Sequence, residues 1–240
     1  MNNRYRVMIR EADREATLRN ADSRTASNML LSDLHRSRWS ARGATQFLYS
    51  SCTRSFHQAA IRPYAVAEVT VLHLLFSAFA SAKSRSWILC SFVLALTHLG
   101  MLGKRRRIGL PNTITLLRAN LPAFENQIGP AIPVIALFTD FLDGKLARAS
   151  DSVTAFGTYA DFFSDTAVWT WLTLRKEPRA MVRGIVFAAW IIPIAAVTAT
   201  SLGRGHIVEI PRSRWFRPSA VVEVIIGGRA VLQLLRRANG

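Results

Sequence analysis

The sequence has few of the residues that build disulfide frameworks and zinc sites. Its 240 residues include two cysteines, Cys52 and Cys90, and five histidines. The cysteines are isolated from each other and the histidines share no metal-ligand spacing, so neither kind of site organises this chain. Acidic residues are also scarce, with 15 aspartates and glutamates against 31 lysines and arginines. Charge and hydropathy therefore indicate the class of protein.

The net charge of +16 has two explanations. A strongly basic chain can bind nucleic acid, and residues 1–62 would then bind it in a salt-dependent manner. However, the sequence contains no nucleic-acid module, and half of its residues are hydrophobic. Membrane proteins carry excess lysine and arginine on their cytoplasmic side, where these residues attract anionic lipids. We expect this second explanation, with membrane lipids as partners and no nucleic acid.

Apolar stretches recur along the chain after residue 62. They predict helices, because a helix satisfies its own backbone hydrogen bonds in lipid. Stretches 87–103 and 184–202 contain no acid, lysine or arginine and are near the length that spans a bilayer. The succession predicts an all-α polytopic transmembrane bundle with about six to seven membrane helices. The stretches are 64–82, 87–103, 110–122, 131–142, 162–174, 184–202 and 220–235.

These patterns divide the chain into three parts. Residues 1–62 hold eleven arginines, five acids and no lysine, and predict a basic cytosolic extension that is disordered or lies on the membrane surface. Residues 63–103 predict an extra transmembrane hairpin, and residues 104–240 form the main membrane domain. The basic run 104–107 sets the orientation if it lies in the cytosol. The protein is then a multi-pass protein of the cell membrane.

Four aspartates stand out because they lie in apolar surroundings, in two pairs. Asp140 and Asp143 are three residues apart, and Asp161 and Asp165 are four apart, so each pair shares a helix face. Ionisable residues in membrane segments are usually functional and need partners. Nearby cations are too few to neutralise four acids, and hard oxygen ligands suit Mg²⁺ or Mn²⁺. The spacing predicts a helical hairpin whose acidic faces bind two divalent ions.

The aspartates belong to a longer frame that resembles the signature of the CDP-alcohol phosphatidyltransferases, D-x2-D-G-x2-A-R-x8-G-x3-D-x3-D. Every fixed position matches at full spacing, which makes a chance match improbable. Residues 111–118 are similar to the opening of the family's first core helix. The resemblance implies a membrane enzyme of phospholipid biosynthesis. Such an enzyme transfers a phosphatidyl group from a CDP-linked lipid, such as CDP-diacylglycerol, to an acceptor alcohol and releases CMP. The matching positions are Asp140, Asp143, Gly144, Ala147, Arg148, Gly157, Asp161 and Asp165.

The resemblance also implies a role for each matching residue. Asp140, Asp143, Asp161 and Asp165 would bind two Mg²⁺ or Mn²⁺ ions, and Asp165 would also accept the proton of the acceptor hydroxyl. Five residues would contact the donor: Asn112, Thr115, Gly144, Arg148 and Thr154. For the acceptor, we expect one or two cations from a set chosen by topology, with a purely topological role as the open alternative. That set is Arg118, Arg204, Arg212 and Arg214.

Other functions stay open at this point. A catalytically inactive scaffold or transporter of the same fold is the main alternative, although it has no evident use for four acids. A prenyl-diphosphate enzyme would need a second aspartate-rich motif in a soluble chain. If the basic run 104–107 lies in the cytosol, the resulting topology also places the acidic residues on the cytoplasmic side. Since 104–240 contains fewer helices than the six usual in the family, a homodimer is one way to complete the bundle.

Overall fold

The computed structural model describes residues 20, 22–208, 228, 229 and 232. Every regular element in this part of the chain is helical, which confirms the all-α class. Short 3-10 turns connect several helices. The helices are α1 (Ser23–Arg36), α2 (Ala41–Ala60), α3 (Pro63–Phe79), α4 (Arg85–Thr97), α5 (Gly109–Asn120), α6 (Glu125–Ile128), α7 (Ile132–Ala149), α8 (Ala155–Lys176) and α9 (Ala180–Arg204).

Fewer helices than the sequence predicts have the length and hydropathy of a membrane span. Within the described residues, α9 is long and apolar enough, and α2 with α3 qualifies as one broken span bent by 94°. The predicted span 87–103 is divided between the 13-residue α4 and the 3-10 turn Leu99–Leu102. Most of the predicted span 220–235 lies outside the described residues. The number of membrane helices therefore stays a prediction.

Helix α5 lies at the centre of the fold, where it packs against both α7 and α8. Its buried residues include four with polar or charged side chains: Asn112, Thr115, Arg118 and Asn120. Buried polar groups need hydrogen-bond partners, so α5 must find them on its neighbours or on its own backbone. Helix α5 therefore organises polar contacts between helices as well as apolar packing.

Apolar clusters on both sides of α5 hold the surrounding helices in place. In one cluster, Leu116 of α5 packs with Val69 of α3 and Phe156 of α8. The other joins α7, α8 and α9 around Val168 and Trp190. Between helices in lipid, close van der Waals packing stabilises such contacts, because exclusion from water contributes little there. The helices that carry the aspartates are thus supported from both sides.

The predicted hairpin 63–103 is attached to α5 by a buried polar contact. Ser91 Oγ of α4 accepts a hydrogen bond from Asn120 Nδ2 at 2.8 Å and lies 3.1 Å from His73 Nε2 of α3. Trp87 Nε1 also donates to the carbonyl of Ala119 at 3.0 Å. Interhelical hydrogen bonds of this kind contribute about 0.6–2 kcal/mol in membranes. They set the register of the hairpin against α5.

The described part of 1–62 forms two helices that contact the main domain. Asp22 caps the first turn of α1 by accepting from the backbone amides of Arg24 and Thr25. Asn28 Oδ1 accepts from the amide of Ile207 at 2.7 Å, just beyond the end of α9. Helix α2 contacts α3, α4 and the turn that follows α4. A position on the membrane surface stays a prediction for this segment.

Gly157 explains how closely α8 approaches α5. A Cβ atom added at Gly157 would lie 2.5 Å from Asn112 Oδ1 and 3.4 Å from Thr154 Oγ1. Asn112 has little freedom to withdraw, because it is buried and its Nδ2 donates to the carbonyl of Ile108 at 2.6 Å. Glycine at this position therefore permits the contact between the two helices.

We expect Gly157→Ala to lower the free energy of unfolding by about 1–2 kcal/mol, because overpacking outweighs the better helix propensity of alanine. Thermal unfolding in detergent micelles measures this change. Gly184→Ala is the matched control, since a Cβ there meets nothing within 4 Å. It should be neutral or stabilising. Equal unfolding temperatures for the two variants would contradict the close packing at Gly157.

Candidate functional site

The four aspartates of the sequence frame converge on one face of α5. Asp140 and Asp143 lie near the middle of α7, and Asp161 and Asp165 lie in the first half of α8. Because α5 packs against both helices, its Arg118 side chain reaches both acidic pairs. The predicted opposition of the two acidic faces is thus present, with this side chain between them.

Arg118 of α5 is the group that the aspartates surround. Its side chain is fully buried, at 0% exposure. Nη1 lies 2.9 Å from Asp140 Oδ1, Nη2 lies 3.3 Å from Asp143 Oδ2, and Nε lies 3.1 Å from Asp165 Oδ1. Nη2 also donates to Asp161 Oδ1. One guanidinium therefore contacts all four carboxylates.

Ser164 completes the surroundings of this guanidinium. Its Oγ accepts a hydrogen bond from Arg118 Nε at 3.2 Å and donates to the backbone carbonyl of Thr115 at 3.3 Å. Both contacts join α8 to α5. Sequence reasoning missed Ser164, although its position three residues after Asp161 places it near the acidic face of α8.

Among the groups that the structure describes in this cluster, the formal charges do not balance. Four carboxylates and one guanidinium leave a formal charge of −3 if all are ionised, and the guanidinium stays protonated because its pKa is intrinsically very high. Desolvation makes an excess of like charge costly unless cations neutralise it. The arrangement therefore favours binding of further positive charge.

Three of the four aspartates are close enough together to share a metal ion. One carboxylate oxygen from each of Asp140, Asp161 and Asp165 lies within 4.8 Å of the others. Carboxylate oxygens are the ligands that Mg²⁺ and Mn²⁺ prefer, so this donor set fits the predicted ion. Asp140 is half-exposed, and an ion can reach the group from solvent.

Asp143 has different surroundings. Its side chain is 6% exposed, and its Oδ2 accepts a hydrogen bond from Thr115 Oγ1 at 2.6 Å besides contacting Arg118. It does not belong to the three-residue oxygen group found among the described residues. Its predicted role as a metal ligand stays a prediction.

A cavity of about 360 Å³ opens beside the aspartates. Its walls come from α5, α7, α8 and the loop between α7 and α8. All five predicted donor contacts line it: Asn112, Thr115, Gly144, Arg148 and Thr154. Asp140, Asp143 and Asp161 also line it, so acids and basic Arg148 face the same space.

Two of these residues show why the local sequence suits a ligand site. A Cβ added at Gly144 would meet the mobile end of Arg148 at 3.3 Å, so glycine leaves the backbone of α7 open towards the cavity. Thr154 is the N-cap of α8, and its Oγ1 accepts from the amide of Gly157 at 3.0 Å. This cap fixes the start of the helix that carries Asp161 and Asp165.

The structure describes two of the four predicted acceptor residues, Arg118 and Arg204. Arg118 contacts the aspartates, as described above. Arg204 is exposed at the end of α9 and does not line the cavity. Arg212 and Arg214 lie outside the described residues. Their contact with an acceptor stays a prediction. The sequence did not indicate Phe141, Ser152, Val153 and Thr158, which also line the cavity.

Comparisons with known proteins identify one family. A family model described as CDP-alcohol phosphatidyltransferase matches residues 108–237, more than half of the chain. The match includes the whole acidic frame and helices α5 to α9. Searches of curated proteins and of solved structures found no match.

We expect Arg118→Met to lower the free energy of unfolding by about 3 kcal/mol in the presence of a chelator, because it leaves Asp143 and Asp165, the least exposed of the four carboxylates, without their guanidinium. Added Mg²⁺ should then raise the unfolding temperature more in this variant than in the wild type. Thermal unfolding in micelles, with chelator and with Mg²⁺, measures both effects.

Arg148→Gln is the control for this prediction, because it removes an exposed cation from the same cavity. Its unfolding temperature in chelator should stay close to that of the wild type. If Mg²⁺ stabilised the wild type and Arg118→Met equally, Arg118 and the metal would not neutralise the same acids.

Proposed function

Because the chain belongs to the CDP-alcohol phosphatidyltransferase family, we propose that it is a membrane transferase of phospholipid biosynthesis. It moves a phosphatidyl group from a CDP-linked lipid donor, such as CDP-diacylglycerol, to an acceptor alcohol, and it releases CMP. The observation that carries the proposal is the group of aspartates at the wall of a cavity that all the expected donor residues line.

Asp140, Asp161 and Asp165 would hold Mg²⁺ or Mn²⁺, and Asp143 would join them if its carboxylate turned from Thr115. Two ions suit this number of acids. When bound, such ions neutralise charge on phosphate oxygens and align the attacking and leaving groups. Arg118 keeps the aspartates of both helices in place and neutralises part of their charge.

In the reaction, the acceptor hydroxyl oxygen forms a bond to the lipid-side phosphorus of the donor. The bond from that phosphorus to the oxygen bridging to CMP breaks, and CMP leaves with the bond electrons. The hydroxyl proton goes to a carboxylate of Asp165. Asp165 suits this role because a carboxylate in the acidic group, beside a bound metal ion and the acceptor hydroxyl, can accept the proton of that hydroxyl.

The donor contacts follow from the chemistry of the wall. Arg148 carries a planar guanidinium that suits phosphate oxygens. The open backbone at Gly144 admits the nucleotide, and Asn112, Thr115 and Thr154 supply hydrogen-bonding groups. For the acceptor, Arg204, Arg212 and Arg214 follow or end α9 and would bind a phosphate if the acceptor carries one. Glycerol 3-phosphate, an inositol phosphate, serine and a lipid alcohol all suit this chemistry.

We further propose a multi-pass protein of the cell membrane whose cavity faces the cytoplasm, where nucleotide donors are present. The basic run 104–107 lies just before α5 and supports this orientation through the positive-inside rule. A homodimer could complete the membrane bundle. The inactive scaffold is less favoured, since it leaves the cost of grouping four acids unexplained.

The reaction itself is the first test. Incubation with CDP-diacylglycerol, Mg²⁺ and each candidate acceptor should release CMP and form a lipid that mass spectrometry identifies. Excess chelator should abolish CMP release, and Mg²⁺ or Mn²⁺ should restore it, because the carboxylates need metal to bind a diphosphate. Full activity in excess chelator would overturn the metal-dependent transfer.

Asp165→Asn should lower turnover by about 10²- to 10⁴-fold, because an amide cannot accept the hydroxyl proton. Donor binding, measured by the effect of CMP on the unfolding temperature, should change much less. Asp143→Asn is the comparison, since it lies one turn from Asp140 but bonds to Thr115. Normal turnover in Asp165→Asn with none in Asp143→Asn would show that Asp165 is not the base.

A further inference from the structure

The loop between α7 and α8 joins the two helices that carry the aspartates. It spans only residues 150–154, and Ser152, Val153 and Thr154 line the cavity. Any change in this loop therefore alters the cavity wall and the relative position of the two acidic pairs. The contacts that hold the loop in place therefore affect the shape of the cavity and the relative position of the aspartates.

The loop begins with the C-terminal cap of α7, in which an aspartate occupies the position where glycine is usual. The amide of Ser152 donates to the carbonyl of Ala147 at 2.8 Å, and the amide of Asp151 donates to the carbonyl of Arg148 at 3.4 Å. This pair of bonds defines a Schellman motif, in which the penultimate residue is left-handed and is usually glycine. Here it is Asp151, with φ of 45°.

An aspartate tolerates this conformation less well than glycine does, so another contact should support it. Arg105 supplies one from a distant part of the chain. Its Nη2 donates to the backbone carbonyl of Asp151 at 2.7 Å. Because the bond is made to the main chain, it holds the left-handed turn itself and not the side chain of Asp151.

Arg105 is itself held by the end of the N-terminal helices. The guanidinium of Arg62 is buried, and it donates to the carbonyl of Gly103 at 2.6 Å and to the carbonyl of Arg105 at 3.3 Å. It also bonds to the carbonyl and side chain of Gln58. The basic turn that carries Arg105 is thereby fixed to α2.

We propose that Arg105 is a positioning residue for the transferase: it holds the left-handed turn at Asp151, and through that turn it keeps the cavity wall in the shape that binds the CDP-linked donor. The proposal rests on the proposed function for its kinetic consequence. Its structural consequence, a turn that opens more readily without Arg105, can be measured without any substrate.

The first measurement is hydrogen exchange at the amide of Ser152 in the micellar protein. Loss of one hydrogen bond of ordinary strength corresponds to about threefold to tenfold in an opening equilibrium, so Arg105→Ala should accelerate this exchange by that factor. Arg106→Ala is the matched control. It removes the same charge from the same exposed run, while the main chain of Arg106 keeps its bond to Ala65.

A second substitution distinguishes the loss of support for the left-handed turn from the loss of the positive charge of Arg105. Glycine adopts the left-handed conformation without strain, so Asp151→Gly in the Arg105→Ala background should return the exchange to within about twofold of the wild type. Equal acceleration by Arg105→Ala and Arg106→Ala would overturn the proposal, and so would a double variant no slower than Arg105→Ala. If the alanine variant fails to fold, Arg105→Gln replaces it with the same expected outcomes.

The kinetic measurement tests the role in donor binding. Arg105→Ala should raise the donor KM about threefold to tenfold and leave kcat within about twofold, and Asp151→Gly should reverse the change. Faster exchange with an unchanged donor KM would overturn the positioning role. If no CDP-linked lipid is a substrate of the wild type, the proposed function fails, and the exchange measurement still decides whether Arg105 holds the turn.

Discussion

One buried guanidinium between four carboxylates is the interaction on which the rest of this structure depends. Asp140 and Asp143 on one helix and Asp161 and Asp165 on another would repel each other across the bundle. Arg118 contacts all four and so binds α7 and α8 to α5. A planar group with donors on several sides can do this, whereas a lysine would offer a single point charge.

Arg118 also adds one positive charge to the site. From the sequence, two divalent ions balance four aspartates. If two divalent ions bind as proposed, Arg118 leaves one net positive charge, and this sign would favour an anionic diphosphate in the adjoining cavity. Arg148 adds to it from the cavity wall. Electrostatics alone thus favours a donor with a negatively charged diphosphate over a neutral substrate.

The sequence predicted the parts of this site that depend on local spacing. Residues three or four apart share a helix face whatever the rest of the fold does, so the aspartate pairs were predictable. The contacts of Arg118 with the aspartates were not predictable. They depend on how α5 is rotated relative to helices whose aspartates are 22 or more residues away in sequence. Asp143 also differs from Asp140 for a non-local reason, since Thr115 reaches it from α5. Breaks within the predicted apolar stretches were not predictable either: hydropathy shows apolar length, but the position where a helix breaks, as at Leu99–Leu102, depends on tertiary contacts.

The N-terminal helices illustrate what a family motif leaves undefined. The family match begins at residue 108, so Arg62 and Arg105 lie outside it. Nevertheless, Arg62 fixes the main chain of Arg105, and Arg105 reaches the loop that separates the acidic helices. The motif contains the residues proposed to react, whereas the contact that Arg105 makes to the loop between the acidic helices comes from outside it. The sequence predicts residues 1–62 only as a basic extension, without any part of the acidic frame. These contacts argue instead that the end of this segment belongs to the same cooperative unit as the site.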